Sequence, residues 1–307
     1  MRLGDEDRRC AHVETRAGKT YCMSDLAPRE EPLQFGDGGK LFGILTTPAV
    51  NDPDVWKATI FVFLNAGMLH RTGPHGLYVR LSRELAEMGF GSLRVDLAGI
   101  GDSPPRTGMN YRESVSADFK EILGFLESEL GTITVVLVGL CSGADNAIRL
   151  ALEDTRVVGM ILLDPVCSID HGFKSRAVVY SAKAFAMNCI TPSKYIPWLK
   201  RRLKFLTGRS VDIEAAADNL SLRDLPTPEQ TRLAITTIRQ RGGKVFAAFT
   251  GYALQYCNEA GQMARTLQLD GGEENLTELF WPEAAHTYEL HSHRARLIEE
   301  IKAWAKI

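Results

Sequence analysis

The fold of this chain is decided by the stretch Val135-Val136-Leu137-Val138-Gly139-Leu140-Cys141-Ser142-Gly143-Ala144. An apolar, β-branched run ends at Gly139, and a helical pattern begins directly beyond it. The intervening Gly-x-Cys-x-Gly puts Cys141 where a G-x-S-x-G nucleophile elbow puts its serine. Glycine is needed on both sides, because a side chain there would collide as the strand turns back into its helix. The pattern predicts a cysteine nucleophile projecting from the tip of this turn.

Ser142 is the neighbouring alternative nucleophile, but it lies one position off the glycine spacing. The spacing predicts instead that the backbone N–H of Ser142 supplies half of an oxyanion hole beside Cys141. A lone cysteine in an apolar turn is more often buried packing than a reactive group. The order of the chain favours reactivity, because strand–helix units precede the turn and a histidine comes late, just before a final amphipathic helix.

Composition restricts the class of protein. A length of 307 residues fits one large α/β domain, or one domain with an inserted lid. The net charge of −2 argues against nucleic acid as a partner. No 18-residue apolar segment is present to span a membrane. The first residues, Met1–Arg9, lack the apolar core of a secretory signal.

The cysteines and glycines exclude several cofactors. Six cysteines, at positions 10, 22, 141, 167, 189 and 257, show no C-x-x-C spacing. We therefore expect neither a zinc site nor a disulfide framework, and a cytoplasmic, reducing location suits a free catalytic thiol. Gly99-Ile100-Gly101 does not open a helix directly, so dinucleotide binding is rejected. We expect no cofactor.

Strand and helix patterns alternate along the chain and predict an α/β fold with a mostly parallel, doubly wound sheet. Residues 1–28 are polar and aperiodic and are predicted to be an N-terminal extension, and residues 29–165 and 244–307 two parts of one core. The strand rhythm disappears over residues 166–243, which predicts a helical lid because this is too long for a bare loop. The predicted strands are Leu33–Phe35, Leu41–Thr46, Thr59–Leu64, Ser92–Val95, the run before Gly139, Val157–Leu163, Lys244–Thr250 and Leu276–Phe280. The predicted helices are one opening at Pro74, Tyr111–Glu129, one after Cys141, Ser175–Ala186, Pro197–Thr207, Thr227–Arg241, Gln255–Leu267 and Ser292–Lys306.

Several stretches resemble the α/β-hydrolase superfamily, over roughly Leu33 to Ile307. The run Asp96-Leu97-Ala98-Gly99-Ile100-Gly101-Asp102-Ser103 resembles the D-x-x-G-x-G-x-S pattern after the fourth strand of many members. Asn65-Ala66-Gly67-Met68 and Gly139-Leu140-Cys141-Ser142-Gly143 make the chain most similar to serine aminopeptidase-like and exosortase-system-associated hydrolases. A cysteine in the elbow also resembles dienelactone hydrolases and polyhydroxyalkanoate synthases. The resemblance implies a sheet of α/β-hydrolase type with a helical lid insertion, but it implies no particular substrate.

His286 is the expected general base. It lies between the predicted last strand and last helix, where the superfamily places its catalytic histidine. His291 and His293 are rivals on composition alone. Their position at the start of the final helix disfavours them.

The carboxylate expected to pair with His286 does not occupy the position that is usual in the superfamily. Its usual position is the loop after Lys244–Thr250, which contains no carboxylate before Glu259. A minority of members carry the acid one strand earlier, and here Asp164 ends the strand Val157–Leu163. We favour Asp164 over Glu259, although aspartate before proline is also a common turn residue. A thiol depends less on this acid than a serine hydroxyl does, because an unperturbed thiol pKa is only about 8.5.

The second oxyanion donor is expected in the loop that follows Thr59–Leu64. Asn65-Ala66-Gly67 stands where relatives have His-Gly-x, which favours the backbone N–H of Gly67, with that of Met68 next. Backbone donors suit this task because they are rigid and point at charge that exists only in the tetrahedral intermediate.

Other residues have less specific expected roles. Three residues of the oxyanion-side loop are candidate substrate contacts, although exposed loop residues are usually only solvated; they are His70, Arg71 and His75. Trp198, in the lid, is a further candidate contact as part of an apolar acyl pocket. Asp96 and Asp102 are expected to be structural and to tie the loop beneath the site.

The lid segment Trp198-Leu199-Lys200-Arg201-Arg202-Leu203-Lys204-Phe205-Leu206 is predicted to be a basic amphipathic helix. A solvated helix face is the commoner explanation of such a charge run. The sharper alternative is a dock for the anionic arm of coenzyme A or of an acyl carrier protein.

The sequence therefore predicts a hydrolase that uses its cysteine to cleave a small-molecule ester or thioester through a covalent acyl-enzyme. One alternative is an acyltransferase or thioesterase that acts on coenzyme A or carrier-protein substrates in a biosynthetic pathway. The other is a non-catalytic small-molecule binder of the same fold.

Overall fold

The structure is a computed structural model that describes residues 12–14, 20–22, 28–49, 57–180, 225–269 and 275–306. Within these ranges the strands are β1 (His12–Glu14), β2 (Thr20–Cys22), β3 (Arg29–Phe35), β4 (Leu41–Thr47), β5 (Lys57–Leu64), β6 (Phe90–Asp96), β7 (Thr134–Leu140), β8 (Val157–Leu163), β9 (Lys244–Thr250) and β10 (Leu276–Trp281). The helices are α1 (Leu77–Glu87), α2 (Tyr111–Leu130), α3 (Ser142–Leu150), α4 (Pro228–Gln240), α5 (Gln262–Thr266) and α6 (His291–Ala305), and residues 173–180 are also helical.

Eight of the described strands form one sheet in the order β10-β9-β8-β7-β5-β6-β4-β3. The β3–β4 and β4–β6 pairs are antiparallel, whereas β5–β6, β8–β9 and β9–β10 are parallel. Helices follow most of the parallel strands, as crossover connections require. The predicted α/β fold with a mostly parallel sheet is confirmed.

One compact unit of the chain comprises residues 1–138 and 294–307. In it Ile60–Leu64 of β5 are at most 1% exposed, as a strand buried on both faces must be. Helix α1 packs on β6 and buries Leu77, Leu81 and Leu85. Helix α2 buries the predicted set of apolar residues, which are Val115, Phe119, Ile122, Leu123 and Leu126.

The other compact unit comprises residues 139–293. Its parallel strands β8 and β9 are joined by a connection that ends in α4. Helix α4 begins at a capping box, in which the side-chain oxygens of Thr227 and Gln230 each accept from the other residue's backbone N–H. Pro228 occupies its first turn as predicted. It packs against α3, β8 and β9. The lid over residues 166–243 stays a prediction, but α4 within that range is packed on the sheet.

One segment has structure that its sequence pattern does not indicate, and one local prediction differs from the structure. Within residues 1–28, β1 and β2 pair as a short antiparallel sheet, and the assignment of this range as an N-terminal extension stays a prediction. The predicted helix Gln255–Leu267 is wrong: a 3-10 turn covers Gly251–Gln255, and α5 covers only Gln262–Thr266. The buried Gln262 side chain accepts from the Asn258 N–H (3.0 Å) and donates to the Tyr256 carbonyl (2.7 Å), which replaces helical backbone partners.

Candidate active site

Cys141 occupies a sharp turn between β7 and α3. Its backbone has φ 57° and ψ −120°, a conformation that L-residues rarely adopt and that is found at functional sites. The Cys141 N–H donates to the Leu163 carbonyl (2.9 Å), and the Cys141 carbonyl accepts from the Ala144 N–H (2.9 Å). A Cβ at Gly139 would overlap the backbone of Gly143, which confirms the predicted need for glycine before the turn.

Cys141 differs from the other cysteines whose side chains are described. Its side chain is half-buried, whereas Cys167 and Cys257 are buried. A hydrogen bond with Cys167, together with burial, raises the pKa of the Cys257 thiol far above its usual range. A thiol that stays protonated is a poor nucleophile. Of these three cysteines, Cys141 is the one whose side chain is not buried.

His286 contacts the acid that the sequence favours. The ring lies in the loop between β10 and α6, with its Nδ1 atom 2.6 Å from Oδ2 of Asp164. Asp164 immediately follows β8, and its carboxylate is fully buried. The structure thus brings together Cys141, His286 and Asp164, within residues 139–293.

Thr250, which sequence reasoning missed, holds the carboxylate of Asp164. Its backbone N–H donates to Oδ1 (2.7 Å), and its hydroxyl donates to Oδ2 (2.7 Å). Together with His286 these donors satisfy a carboxylate that has no access to water. Thr250 ends β9, the parallel neighbour of β8, so a hydroxyl stands near the usual position of the acid. The sequence offers this placement as a signal, because neighbouring parallel strands end at the same edge of the sheet. A polar residue at the end of β9 is therefore expected near Asp164 at the end of β8.

The surroundings of His286 favour its charged form. Burial disfavours a charged ring and lowers the pKa, but hydrogen bonds with Asp164 and Cys141 outweigh burial and raise the pKa of His286 to about 9. The ring is therefore an imidazolium near neutral pH. An imidazolium is the natural partner of a thiolate, whereas a serine hydroxyl needs a neutral histidine to accept its proton.

The alternative acid and the alternative histidines do not join this group of residues. Glu259 is 47% exposed and forms ion pairs with Arg265 (2.6 Å) and Arg176 (3.2 Å). His291 and His293 lie in the first turn of α6. His286 is the histidine that bonds Asp164.

The predicted oxyanion loop follows β5 in the other compact unit. Gly67 has φ 56°, and Met68 and His70 are exposed. Ser142, the partner donor, is the first residue of α3. The oxyanion roles of Gly67, Met68 and Ser142, and the substrate role of His70, stay predictions.

The loop after β5 is fastened by the buried carboxylate of Asp96. Oδ1 accepts from the Arg71 N–H (2.6 Å) and from the Asn65 amide (3.2 Å), and Oδ2 pairs with the Arg71 guanidinium. Arg71 also pairs with Asp102 (2.7 Å). A side chain at Gly101 would overlap the Asp96 carboxylate. These contacts explain the aspartates of the D-x-x-G-x-G-x-S run as structural residues.

Tyr252 is the second residue that sequence reasoning missed. Its ring lies over His286, with the centroids 4.1 Å apart and the planes 32° from parallel. The residue follows β9, in the loop where the superfamily usually has its carboxylate. An aromatic residue in that loop was the available signal.

Several predictions fall outside the described residues. Trp198 and the basic segment around it lie in the range 181–224. Within the described ranges, no group of histidine, cysteine or carboxylate side chains is arranged to hold a metal ion. None of the described helices has the length and apolarity that a membrane crossing requires.

Comparison with known proteins extends these findings. A sequence model of the family described as serine aminopeptidase, S33, matches residues 62–238. An esterase from Pyrococcus furiosus, solved in two crystal forms, is similar in structure, with a TM-score of 0.53 in each. Its two forms are 15% and 14% identical to this chain, and the alignments cover 99% of this chain and 100% or 98% of the esterase. A hypothetical protein from Pseudomonas aeruginosa has a TM-score of 0.50 at 13% identity, with 90% of this chain and 94% of that chain covered. A search of curated proteins gave no match.

The fold and the turn at Cys141 define an α/β-hydrolase. Structural likeness at such low identity establishes the fold alone. The family match, however, covers more than half of the 307 residues. The chain belongs to the serine aminopeptidase S33 family and is a hydrolase. It departs from the serine in the family's description, because cysteine occupies the middle of its elbow.

Proposed function

We propose that this hydrolase cleaves an ester or thioester of a small molecule through a covalent acyl-enzyme on Cys141. His286 acts first as general base toward the Cys141 thiol, then as general acid toward the leaving group, and in the second half of the reaction as general base toward water. Asp164 fixes the orientation of the His286 ring through the hydrogen bond to Nδ1. The observation that carries the proposal is the hydrogen bond between Asp164 and His286, whose ring also interacts with Cys141 at the strained tip of the elbow.

Acylation begins when the Cys141 thiol transfers its proton to His286 and the sulfur attacks the acyl carbonyl carbon. The electron pair of the C=O bond moves to oxygen and forms a tetrahedral oxyanion, for which the predicted donors are the N–H groups of Gly67 or Met68 and Ser142. When the carbonyl reforms, the bond to the alcohol or thiol breaks. The leaving group takes the proton of the His286 imidazolium, and the acyl group stays on sulfur as a thioester.

Deacylation uses the same residues in reverse roles. The neutral His286 accepts a proton from water as the water oxygen attacks the thioester carbon. Collapse of the second tetrahedral intermediate releases a carboxylic acid and the Cys141 thiolate, which again lies beside an imidazolium. Asp164 is fully buried and fixed by Thr250, so it keeps Nδ1 protonated and the other ring nitrogen directed to the reaction.

Transfer of the acyl group to an amine or thiol is a variant of this chemistry, because an acyl thioester reacts with those nucleophiles as well as with water. Coenzyme A or a carrier protein remains a proposed partner, based on the basic sequence around Trp198. Because the chain is a hydrolase, the alternative of a non-catalytic small-molecule binder is set aside.

Intact-mass analysis after exposure to a p-nitrophenyl ester tests the proposal. We expect one acyl adduct on the wild-type chain, none on Cys141→Ala, and an unchanged adduct on Ser142→Ala. Ser142→Ala is a matched control, since it removes the neighbouring hydroxyl and keeps the backbone N–H. An adduct that persists in Cys141→Ala but disappears in Ser142→Ala would assign the nucleophile to serine.

A further inference from the structure

The aromatic ring of Tyr252 covers one face of His286, yet no step of the proposed reaction uses it. The centroid separation of 4.1 Å is contact distance for two stacked rings. Tyr256 meets Tyr252 edge-on, with centroids 6.5 Å apart. The Tyr252 ring is thus held between His286 and a second aromatic residue.

The backbone of Tyr252 is tied to the same carboxylate that binds His286. The Tyr252 N–H donates to the Thr250 hydroxyl oxygen (3.3 Å), and that hydroxyl donates to Oδ2 of Asp164 (2.7 Å). Asp164 in turn bonds Nδ1 of His286, whose ring lies against Tyr252. The four residues Asp164, Thr250, Tyr252 and His286 therefore form a closed cycle of contacts.

We propose that Tyr252 is a positioning residue whose ring face stabilises the imidazolium form of His286 and keeps that ring against Asp164. The inference rests on the proposed function, because it gives Tyr252 a part in the same site. A cation over the face of a tyrosine within about 6 Å of its centroid is attracted by the electron-rich ring. Neutral imidazole gains less from the same contact, so the stack favours the charged form.

The contribution of Tyr252 to the pKa of His286 can be separated from the contributions of the other groups that face the ring. Among the described residues they are Asp164, at the end of β8, and Cys141, at the elbow; both raise the pKa of the ring, while burial lowers it. The bond to Asp164 is made through Nδ1, at the edge of the imidazole, whereas Tyr252 lies against its face. Changing Tyr252 leaves both partners in place, so a shift in the titration of His286 reports the stack.

The test is an NMR titration of the histidine ring Cε1–H signals in the whole chain, with Tyr252→Leu compared against Tyr252→Phe. His286→Gln identifies the His286 signal among the seven histidines. We expect the midpoint to fall by about 0.5 to 1 pH unit in Tyr252→Leu and to stay near the wild-type value in Tyr252→Phe. We also expect acyl turnover to decrease several-fold in Tyr252→Leu, mainly in kcat. Tyr252→Trp, with a larger aromatic face, should hold the midpoint at or above the wild-type value and covers the case in which the leucine variant does not fold.

Each outcome decides the inference. An unchanged midpoint in Tyr252→Leu overturns it, and so does an equal fall in Tyr252→Phe, because the hydroxyl would then be responsible. The titration requires no turnover, so it is independent of the acylation test. A midpoint that responds to Tyr252 while Cys141→Ala still forms the acyl adduct would refute the proposed function alone. The opposite pair of results would refute the Tyr252 inference alone.

Discussion

Asp164 and Asp96 are two fully buried aspartates at the ends of parallel strands, and they have different partners. Asp96, the last residue of β6, binds the guanidinium and N–H of Arg71 and the amide of Asn65. Asp164, directly after β8, binds His286 and two donors of Thr250. One carboxylate faces a permanent cation, and the other faces a group that titrates.

The difference in partner separates a structural role from a chemical one. Burial lowers the pKa of Arg71, but its bonds to Asp102 and Asp96 outweigh burial and raise it, so this cation never loses its proton. The pKa of His286 is about 9, within reach of proton transfer. A buried carboxylate paired with arginine fixes a loop, whereas one paired with histidine can support a reaction.

The largest expected effect is on catalysis, in Asp164→Asn. The amide would present an N–H to Nδ1 of His286, which leaves the ring in the wrong tautomer. We expect kcat on a p-nitrophenyl ester to fall by about 10²–10³-fold, less than the ~10⁴-fold loss in serine triads, because a thiol needs less help than a hydroxyl. Glu259→Gln is the matched control and should stay within about threefold of wild type. A silent Asp164→Asn beside a damaging Glu259→Gln would reverse the assignment of the acid.

The next effect is on stability, in Asp96→Asn. The substitution keeps the shape of the side chain but leaves the Arg71 guanidinium without its buried counter-charge. We expect a loss of about 2–4 kcal/mol in the free energy of unfolding, measured by urea denaturation. Asp102→Asn is the control, since Asp102 pairs with the same arginine but is 60% exposed, and it should cost less than about 1 kcal/mol. Equal losses in both variants would contradict the structural role assigned to Asp96.

The smallest effect is the pH dependence of stability that His286 contributes. Its pKa is about 9 in the folded chain and about 6.5 in the unfolded chain, so folding favours the protonated ring. The resulting stabilisation, about 1–3 kcal/mol, is complete below about pH 6.5 and is lost as the pH rises through about 9. Urea unfolding between pH 6 and 10 should therefore show a steeper alkaline decline for wild type than for His286→Gln. Parallel curves would show that the folded-state pKa is not raised.

Much of the fold could be predicted because each strand carries its own local pattern. The predicted strand Val157–Leu163 has the bounds found in the structure, and Lys244–Thr250 does as well. The failure at Gln255–Leu267 has a tertiary cause, since the side chain of Gln262 also donates to the carbonyl of Ser168 (2.8 Å), far away along the chain. Periodicity contains no information about such a partner.

Only part of the candidate site could be predicted, because local sequence patterns identify some of its residues and not the others. Local spacing predicts Cys141, and chain order predicts His286. Thr250 and Tyr252 contact Asp164 and His286 from a different strand and loop, and the only signals that the sequence offers for them are their positions at the end of β9 and in the loop after it. A pattern that specifies a nucleophile does not specify the residues that hold its acid.

The position of Asp164 directly after β8 also determines where the chain can be lengthened. Cys141 and Asp164 both precede residues 166–243, and of the proposed trio only His286 comes after β9. A segment inserted between Asp164 and α4 would therefore lengthen the chain without separating the nucleophile from its acid in the sequence. For engineering, such an insertion leaves the order of Cys141 and Asp164 intact, whereas replacing residues 168–176 would remove the contacts of Ser168 and Arg176 with Gln262 and Asn258.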